Sequence, residues 1–323
     1  MKILVYGAGV IGGYMAHLLC TTENQITVLA RGEQRAILER EGLVCASHFL
    51  HIRTVDRPAV IGALAPDDRY DVIFVVMRYE QMSAVLPVLA DNVSPLVVLV
   101  GNNMSAPAME AYLHAHSPAP KTVAFGFQAT GGARREGRYI YVAFGRPALN
   151  VGSAAPEADW KAAILSAFRG ANYGVHTHGD MDAWYKSHLA LILPICYVCY
   201  QCNCDLRRVS GPNLDAVIAA AREGYRFLEH IGCPVDQTDL NLFDKKRGGV
   251  KAVLWLMAKT KIGELAASNH AKHAVGEISA LDEAFEALRA GSDFSMPAWD
   301  ALRRETPSWE ALRKSCAGGN LGV

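Results

Sequence analysis

Short apolar runs separated by helical patterns characterise the first half of the chain. In chain order, the apolar runs are Lys2 to Tyr6, Gln25 to Ala30, Asp71 to Met77 and Leu96 to Val100. The helical patterns among them run from Ile11 to about Leu19 and from Glu33 to Glu41. Near-continuous apolar strands that alternate with helices indicate a parallel sheet covered on both faces. Three further runs are expected to extend this sheet at its edge: Thr122 to Phe127, Tyr139 to Val142 and Ala148 to Val151.

The second half has a different pattern. From about residue 160 the long helical patterns are Trp160 to Phe168, Ala183 to Tyr200, Asn213 to Ile231, Ala252 to Leu265 and Gly276 to Ala290. The polar segment from Gly170 to Gly179, with its glycines and two histidines, is typical of a domain boundary. We therefore predict an α/β chain with an N-terminal parallel-sheet domain, residues 1–175, and a C-terminal all-α domain, residues 176–323.

A glycine-rich turn joins the first strand to the first helix. Its residues are Gly7, Ala8, Gly9, Val10, Ile11 and Gly12. In such a GxGxxG turn the first glycine permits the tight turn, the second lets the backbone approach a pyrophosphate, and the third lets the helix pack on the strand. Unpaired N–H groups at the helix N-terminus stabilise the phosphate charge. The pattern predicts a Rossmann-type dinucleotide-binding domain whose cofactor contacts this turn.

Residues that follow the other strands bear on the choice of cofactor. The second strand ends at Arg31, where an NAD-binding domain usually has an acidic residue for the ribose hydroxyls. A guanidinium pairs with the 2′-phosphate instead, so we predict NADPH, with a solvated surface arginine as the alternative. Arg78 and Asn102 follow the next two strands and are predicted to contact the cofactor, Asn102 also the substrate. An ordinary loop position is the alternative for both.

Composition narrows the class of partner. Lysine plus arginine (32) equals aspartate plus glutamate (32), so no excess charge favours a nucleic acid or an anionic membrane, and a small-molecule partner is expected. The longest apolar stretch, Leu189 to Tyr200, is about half a membrane span. The first strand starts directly after Met1, which leaves no room for a signal peptide, and a cytoplasmic location is expected.

Cysteines and histidines are the candidate metal ligands. Four of the eight cysteines cluster in one segment: Cys196, Cys199, Cys202 and Cys204. A structural zinc site usually pairs two separated ligand couples, and small buried thiols on an apolar helix are common, so no metal site is expected. His176 and His178 alternate as in an extended segment and are interpreted as surface histidines.

Lys186 is the candidate catalytic residue of the second half. It follows Trp184 and precedes the apolar run Leu189 to Ile195, so its ammonium group starts from a mostly buried helix. A lysine whose pKa is lowered by desolvation can donate a proton to a carbonyl oxygen as hydride arrives. A lysine that extends to solvent at a helix end is the alternative.

Together these features resemble the ketopantoate reductase (2-dehydropantoate 2-reductase) family over nearly the full chain. The segments that carry the resemblance are the glycine turn, Leu29-Ala30-Arg31-Gly32, Glu41-Gly42-Leu43, the Asn102 loop, Trp184-x-Lys186 and Gly276-Glu277-Ile278. The resemblance implies reduction of a small 2-oxo acid by NADPH in pantothenate biosynthesis. It also implies that Lys186 is the general acid, that Glu277 lies beside the substrate hydroxyl, and that Asn102 contacts the substrate.

The chain departs from the family pattern at several positions. Where the family has asparagines after the lysine, this chain has Ala190 and either Leu193 or Pro194. Asn203 matches a further family asparagine if one residue is deleted upstream, and it is a substrate-binding candidate. The family serine falls near Leu265, with Ser268 and Asn269 the nearest polar residues; the lysine after the third strand is Arg78, and the glycine after Asn102 is Asn103. These losses favour a more apolar oxo acid than ketopantoate, in a site lined by Ala190 and Leu193.

Three hypotheses remain open from the sequence. The first is the reductase, to which His188 adds a further substrate-binding candidate if the helix bends near Pro194. The second is a non-catalytic NADPH-binding or redox-sensing protein, with the cysteine cluster as its redox element. The third is a reductase of an imine or another keto substrate. The apolar helical faces of the second half are compatible either with a core or with a homodimer surface.

Overall fold

The computed structural model of the chain divides into two compact units, Met1–Asp182 and Ala183–Val323. It describes residues 1–47, 53–128, 130–135, 137–142, 146–154 and 159–317. The predicted combination, a parallel-sheet α/β domain followed by helices, is confirmed. The boundary that we predicted between residues 175 and 176 falls inside a strand, Gly174–His178, that pairs in parallel with Ala148–Gly152 of the first unit.

The first unit contains the strands of the fold. They are β1 Lys2–Tyr6, β2 Gln25–Leu29, β3 Leu43–Ser47, β4 Arg53–Asp56, β5 Ala59–Ile61, β6 Val72–Val76, β7 Leu96–Val100, β8 Thr122–Gln128, β9 Gly131–Arg135, β10 Arg138–Val142, β11 Ala148–Gly152 and β12 Gly174–His178. The main sheet has the order β12-β11-β8-β7-β6-β1-β2-β5 and is parallel except where β11 pairs with β8. Every residue of β6 and β7 is buried, as expected of strands covered on both faces.

Helices cover this sheet. They are α1 Val10–Cys20, α2 Gly32–Glu41, α3 Tyr79–Met82, α4 Leu86–Asp91, α5 Ala106–His116 and α6 Lys161–Ala167. The predicted helix Trp160 to Phe168 is therefore present, but it belongs to the first unit, where Phe168 packs on Phe74 of β6 with ring centroids 5.5 Å apart. The extended segment predicted around His176 and His178 is strand β12, but its place in the main sheet was not predicted, because its polar, partly exposed residues lack an apolar pattern.

A second sheet of four strands, in the order β4-β3-β10-β9, lies beside α1. The prediction that Tyr139 to Val142 extends the main sheet is wrong, because this segment pairs with β3 and β9 instead. Two tyrosines hold it against α1. The Tyr139 hydroxyl donates to the carbonyl oxygen of Ala8 at 3.0 Å, and Tyr141 stacks on Tyr14 with centroids 4.1 Å apart.

Within its described residues the second unit is helical. Its helices are α7 Met181–Gln201, which begins at the end of the first unit, α8 Gly211–His230, α9 Gln237–Lys245, α10 Arg247–Ala258, α11 Lys261–Gly263, α12 Asn269–His273, α13 Val275–Arg289, α14 Pro297–Arg304 and α15 Trp309–Ala317. The predicted helix Ala252 to Leu265 ends at Ala258, and a π-helical segment, Glu264–Ser268, precedes α12. None of the helices that the structure describes is long and apolar enough to span a membrane.

A buried carboxylate ties three helices of this unit together. Asp282 of α13 is fully buried and pairs with Arg303 of α14, whose Nη2 lies 2.8 Å from Oδ2. The Trp309 indole of α15 donates to the same oxygen at 3.2 Å. A charged group removed from water is stable only when it is paired in this way, so this cluster fixes the position of α13.

Candidate active site

The glycine turn between β1 and α1 forms a cradle in which no side chain fits at two positions. Gly7 has φ +120°, and a Cβ atom there would lie 2.3 Å from the carbonyl oxygen of Val76. A Cβ atom at Gly12 would lie 1.9 Å from the carbonyl oxygen of Gly7. The turn therefore requires glycine at both positions for structural reasons.

Gly9 differs from its neighbours because it faces open space. It is the exposed N-cap of α1 with φ −72°, and no heavy atom lies within 4 Å of the position that a Cβ atom would take. The first N–H groups of a helix have no partners within the helix and can bind an anion. Ala8, Val10 and Ile11 are partly buried around it. This open, donor-rich surface fits the pyrophosphate of a dinucleotide.

Arg31 stands at the N-cap of α2, directly after β2. It is exposed, and its Nη2 donates to the hydroxyl of Tyr6 at 3.0 Å. Tyr6 is the last residue of β1 and is in register with Leu29 of β2. The guanidinium is therefore held next to the strand that leads into the glycine turn, where a cationic group can bind an anionic substituent of the cofactor.

Arg78 and Asn102 lie at the same edge of the main sheet. The strands β7, β6, β1 and β2 are adjacent and parallel, so their carboxyl ends meet at one edge. Arg78 is the exposed residue before α3, and Asn102 follows β7 with 6% of its surface exposed. Ligands of parallel sheets bind outside the carboxyl ends of the strands. The geometry thus places all predicted cofactor-binding residues along this edge.

Asn103 has a structural role in the same loop. It is fully buried, its Oδ1 accepts a hydrogen bond from the backbone N–H of Ser105 at 2.7 Å, and its Nδ2 points to Sδ of Met109 at 3.3 Å. Such an asparagine stabilises a turn through its own side chain. Asn103, which replaces the glycine of the family pattern, therefore stabilises the loop and takes no part in the chemistry of the site.

In the second unit, Lys186 lies near the start of α7. It is partly buried, between the buried residues Tyr185 and Ser187. We predicted that Ala190 and Leu193 line the substrate site. This prediction is wrong, because both side chains are fully buried in the core of the second unit. A Cβ atom at Gly224 of α8 would lie 3.0 Å from Cβ of Ala190, which is core packing.

Glu277 is buried in the first turn of α13, with 3% of its surface exposed. Sequence pattern alone would make it an ordinary helix-surface glutamate. Its Oε2 lies 3.5 Å from Nε2 of His270 on α12, a residue that the sequence analysis did not single out. The only sequence signal for His270 is its place in the polar run Asn269-His270-Ala271-Lys272-His273, directly before α13. A carboxylate and an imidazole thus meet in one place.

His188 joins this pair electrostatically. Its ring stacks on Trp184, one helical turn earlier, with centroids 5.0 Å apart and an interplanar angle of 12°. Burial lowers the pKa of His188 to about 4, and the neighbouring His270 contributes to this lowering. His188 is therefore a neutral imidazole at neutral pH, able to form hydrogen bonds but not an ion pair.

The structure places Asn203 and Ser268 in structural roles. Asn203 is exposed after the end of α7 with φ +54°, a left-handed conformation that asparagine adopts more readily than most residues. Ser268 is buried, and its Oγ accepts from the backbone N–H of Leu206 at 3.2 Å. Helix termination and loop packing account for these two positions, and substrate binding by Asn203 stays a prediction.

Two of the clustered cysteines, Cys196 and Cys199, are thiols of low reactivity that form no disulfide. Burial raises the pKa of Cys196 to about 12, with Glu277 and Cys204 adding to the effect. The pKa of Cys199 is raised well above its ordinary value by its hydrogen bond with Cys204 and by burial. A thiol reacts as the thiolate, so these two groups are poor nucleophiles at neutral pH. Among the residues described, no group of three or more histidine, cysteine, aspartate or glutamate side chains is arranged to hold a metal ion.

The chain is similar to known proteins both in the sequence of its first half and in its fold. Residues 3–156 match the model of the family described as ketopantoate reductase PanE/ApbA. No curated protein sequence matches the chain. Among solved structures, the chain is similar to 2-dehydropantoate 2-reductase from Methylococcus capsulatus, with 18% identity over 100% of both chains and a TM-score of 0.75.

Two more solved structures share the fold. The 2-dehydropantoate 2-reductase from Geobacter metallireducens GS-15 is 15% identical over 94% of this chain and 98% of its own, with a TM-score of 0.72. D-mandelate dehydrogenase, solved with NADH and anilino(oxo)acetate, is 14% identical over 98% of this chain and 99% of its own, with a TM-score of 0.73. At such identities the likeness concerns the fold alone.

Proposed function

The chain belongs, through its residues 3–156, to the ketopantoate reductase PanE/ApbA family of oxidoreductases, and on this premise we propose that it reduces a small 2-oxo acid with NADPH. The observation that carries the proposal is the open cradle at Gly9, bounded by two positions that admit only glycine and flanked by Arg31. When bound, the dihydronicotinamide supplies the hydride. The residues of this chain bind the cofactor, orient the substrate and protonate its carbonyl oxygen.

Lys186 and Glu277 carry the chemistry in this proposal. The ammonium group of Lys186 donates a proton to the carbonyl oxygen as hydride reaches the carbonyl carbon, and a hydroxyl group forms. The Glu277 carboxylate accepts a hydrogen bond from that hydroxyl and orients it. Neutral His188 is a further contact for the substrate. Asn102 contacts the nicotinamide or the substrate, and Arg78 adds positive charge near the adenosine phosphate.

The identity of the acid is best approached with a panel. The panel contains ketopantoate, aliphatic 2-oxo acids of increasing size and an aromatic 2-oxo acid, since D-mandelate dehydrogenase shares the fold and was solved with anilino(oxo)acetate. Each acid is scored by oxidation of NADPH and of NADH. We expect at least one acid to be reduced. If the protein binds the cofactor tightly but no acid supports its oxidation, the proposed activity is overturned. An amine added to the same assays would reveal an imine reductase.

Replacing Arg31 tests the choice of cofactor. Charge-assisted hydrogen bonds contribute about 1.5–3 kcal/mol, so Arg31→Ala is expected to raise the Kd of NADPH by about 10- to 100-fold and to leave that of NADH within about threefold. Calorimetric titration of both cofactors provides the measurement. Arg35→Ala is a matched control, because Arg35 is exposed on the same helix and pairs with Glu39 at 2.7 Å. Equal weakening of both cofactors by Arg31→Ala would mean that Arg31 does not select NADPH.

A further inference from the structure

A histidine lies against the carboxylate to which the proposed function assigns substrate contact. Nε2 of His270 is 3.5 Å from Oε2 of Glu277, and the side chains are 41% and 4% exposed, respectively. Removing a carboxylate from water is unfavourable unless a donor or a cation compensates for the lost hydration. His270 contributes to this compensation from the solvent side, since it is much the more exposed of the two.

The groups around the pair limit its charge. His188 of α7 interacts electrostatically with His270, and its pKa of about 4 leaves it uncharged at neutral pH. The thiol of Cys196, also on α7, faces Glu277, and its pKa of about 12 leaves it protonated. Neither of these two neighbours therefore adds a charge beside the pair.

The backbone of α12 is also held in place. The hydroxyl of Tyr200, on α7, donates to the carbonyl oxygen of Ala271 at 3.0 Å, and Ala271 is fully buried. The residue before it, His270, is thus attached to an anchored turn rather than to a free loop. A side chain on a fixed backbone can hold its partner in one orientation.

We propose that His270 is a positioning residue for Glu277: its imidazole holds the buried carboxylate in the orientation that receives the substrate hydroxyl. The inference rests on the proposed function, in which Glu277 contacts the substrate. His270 thus acts on turnover through the carboxylate and does not itself touch the substrate.

Two substitutions at this position separate the contact from the charge. His270→Gln retains a donor nitrogen at similar reach but cannot be charged, whereas His270→Ala removes both. We expect His270→Ala to lower kcat by about 10- to 100-fold, because a misplaced carboxylate orients the substrate poorly, with the Kd of NADPH within about threefold. We expect His270→Gln to retain kcat within about threefold of the unmodified protein, because the amide nitrogen can still donate to the carboxylate.

His230 offers a matched control on another face of the second unit. Its Nε2 lies 3.4 Å from Oδ1 of Asp293, and both side chains are exposed, at 48% and 97%. An exposed ion pair of this kind contributes little to stability. His230→Ala should leave kcat, its pH profile and Tm unchanged. Equal effects of His230→Ala and His270→Ala on kcat would overturn the proposal.

A double-mutant cycle of His270→Ala and Glu277→Gln keeps this test separate from that of the activity. Thermal unfolding measures the pairing without any substrate, and we expect the summed losses in Tm of the two single variants to exceed that of the double variant. Additive Tm losses would overturn the pairing. Coupled Tm losses with additive losses in kcat would overturn the positioning role. Coupled Tm losses in a protein that reduces no oxo acid would instead overturn the proposed function and leave the pairing in place.

Discussion

Lys186→Met is expected to lower kcat by about 100- to 10,000-fold, because the developing alkoxide would have to take its proton from water. Lys186 is partly buried near the start of α7, so methionine preserves its length and its apolar contacts without the ammonium group. The Kd of NADPH should stay within about threefold, since the lysine acts on the carbonyl group and not on the cofactor phosphates. Stopped-flow measurement of NADPH oxidation at saturating oxo acid gives the rate directly.

Two further variants make this test specific. Lys186→Arg keeps the positive charge, but a guanidinium gives up its proton poorly, so it should lose nearly as much activity as methionine. Lys251→Met removes a lysine that pairs with Asp215 at the surface and should retain full activity. A Lys186→Met enzyme that turns over at the normal rate would show that another group supplies the proton.

Gly9→Ala is expected to weaken cofactor binding without loss of stability, whereas Gly12→Ala is expected to destabilise the fold. A methyl group at Gly9 meets no protein atom within 4 Å, and φ at this position suits any residue, so the variant should fold with an unchanged Tm. It should nevertheless raise the Kd of NADPH by about 10- to 100-fold, because the methyl group occupies the space through which the pyrophosphate approaches the backbone.

At Gly12 the methyl group would lie 1.9 Å from the carbonyl oxygen of Gly7, which belongs to the backbone and cannot rotate away. The turn must shift, which costs about 1–3 kcal/mol of stability or more. Thermal unfolding and cofactor titration of the two variants distinguish these effects. A Gly9→Ala protein that binds NADPH as tightly as the unmodified chain would place the cofactor elsewhere.

The parts of the fold that are encoded locally are predictable from the sequence. The glycine turn, the first strand and the helix after it are contiguous, so the need for glycine at Gly7 and Gly12 follows from the local pattern alone. The buried strands β6 and β7 are equally clear, because continuous apolar runs of this length have few alternatives.

The features that escaped prediction are strand pairing and the ends of helices, which the periodicity of apolar residues does not describe. Strand β10 is recognisable as a strand, but periodicity does not identify its partners, and it pairs with β3 instead of the main sheet. The contact between His270 and Glu277 joins two helices across a break, and nothing in either helix indicates that the glutamate is buried. The asparagine matched to a family position, Asn203, instead lies at a helix end in a left-handed conformation.

The most direct measurement follows the hydride itself. NADPH carrying deuterium at both C4 positions is incubated with the protein and the oxo acid that gives the fastest oxidation, and the product is analysed by mass spectrometry. The expected result is one deuterium at C2 of the resulting 2-hydroxy acid, formed at the rate of NADPH oxidation and formed about 100- to 10,000-fold more slowly by Lys186→Met. NADPH oxidation that leaves the acid unlabelled would contradict the assignment of this protein as a 2-oxo acid reductase.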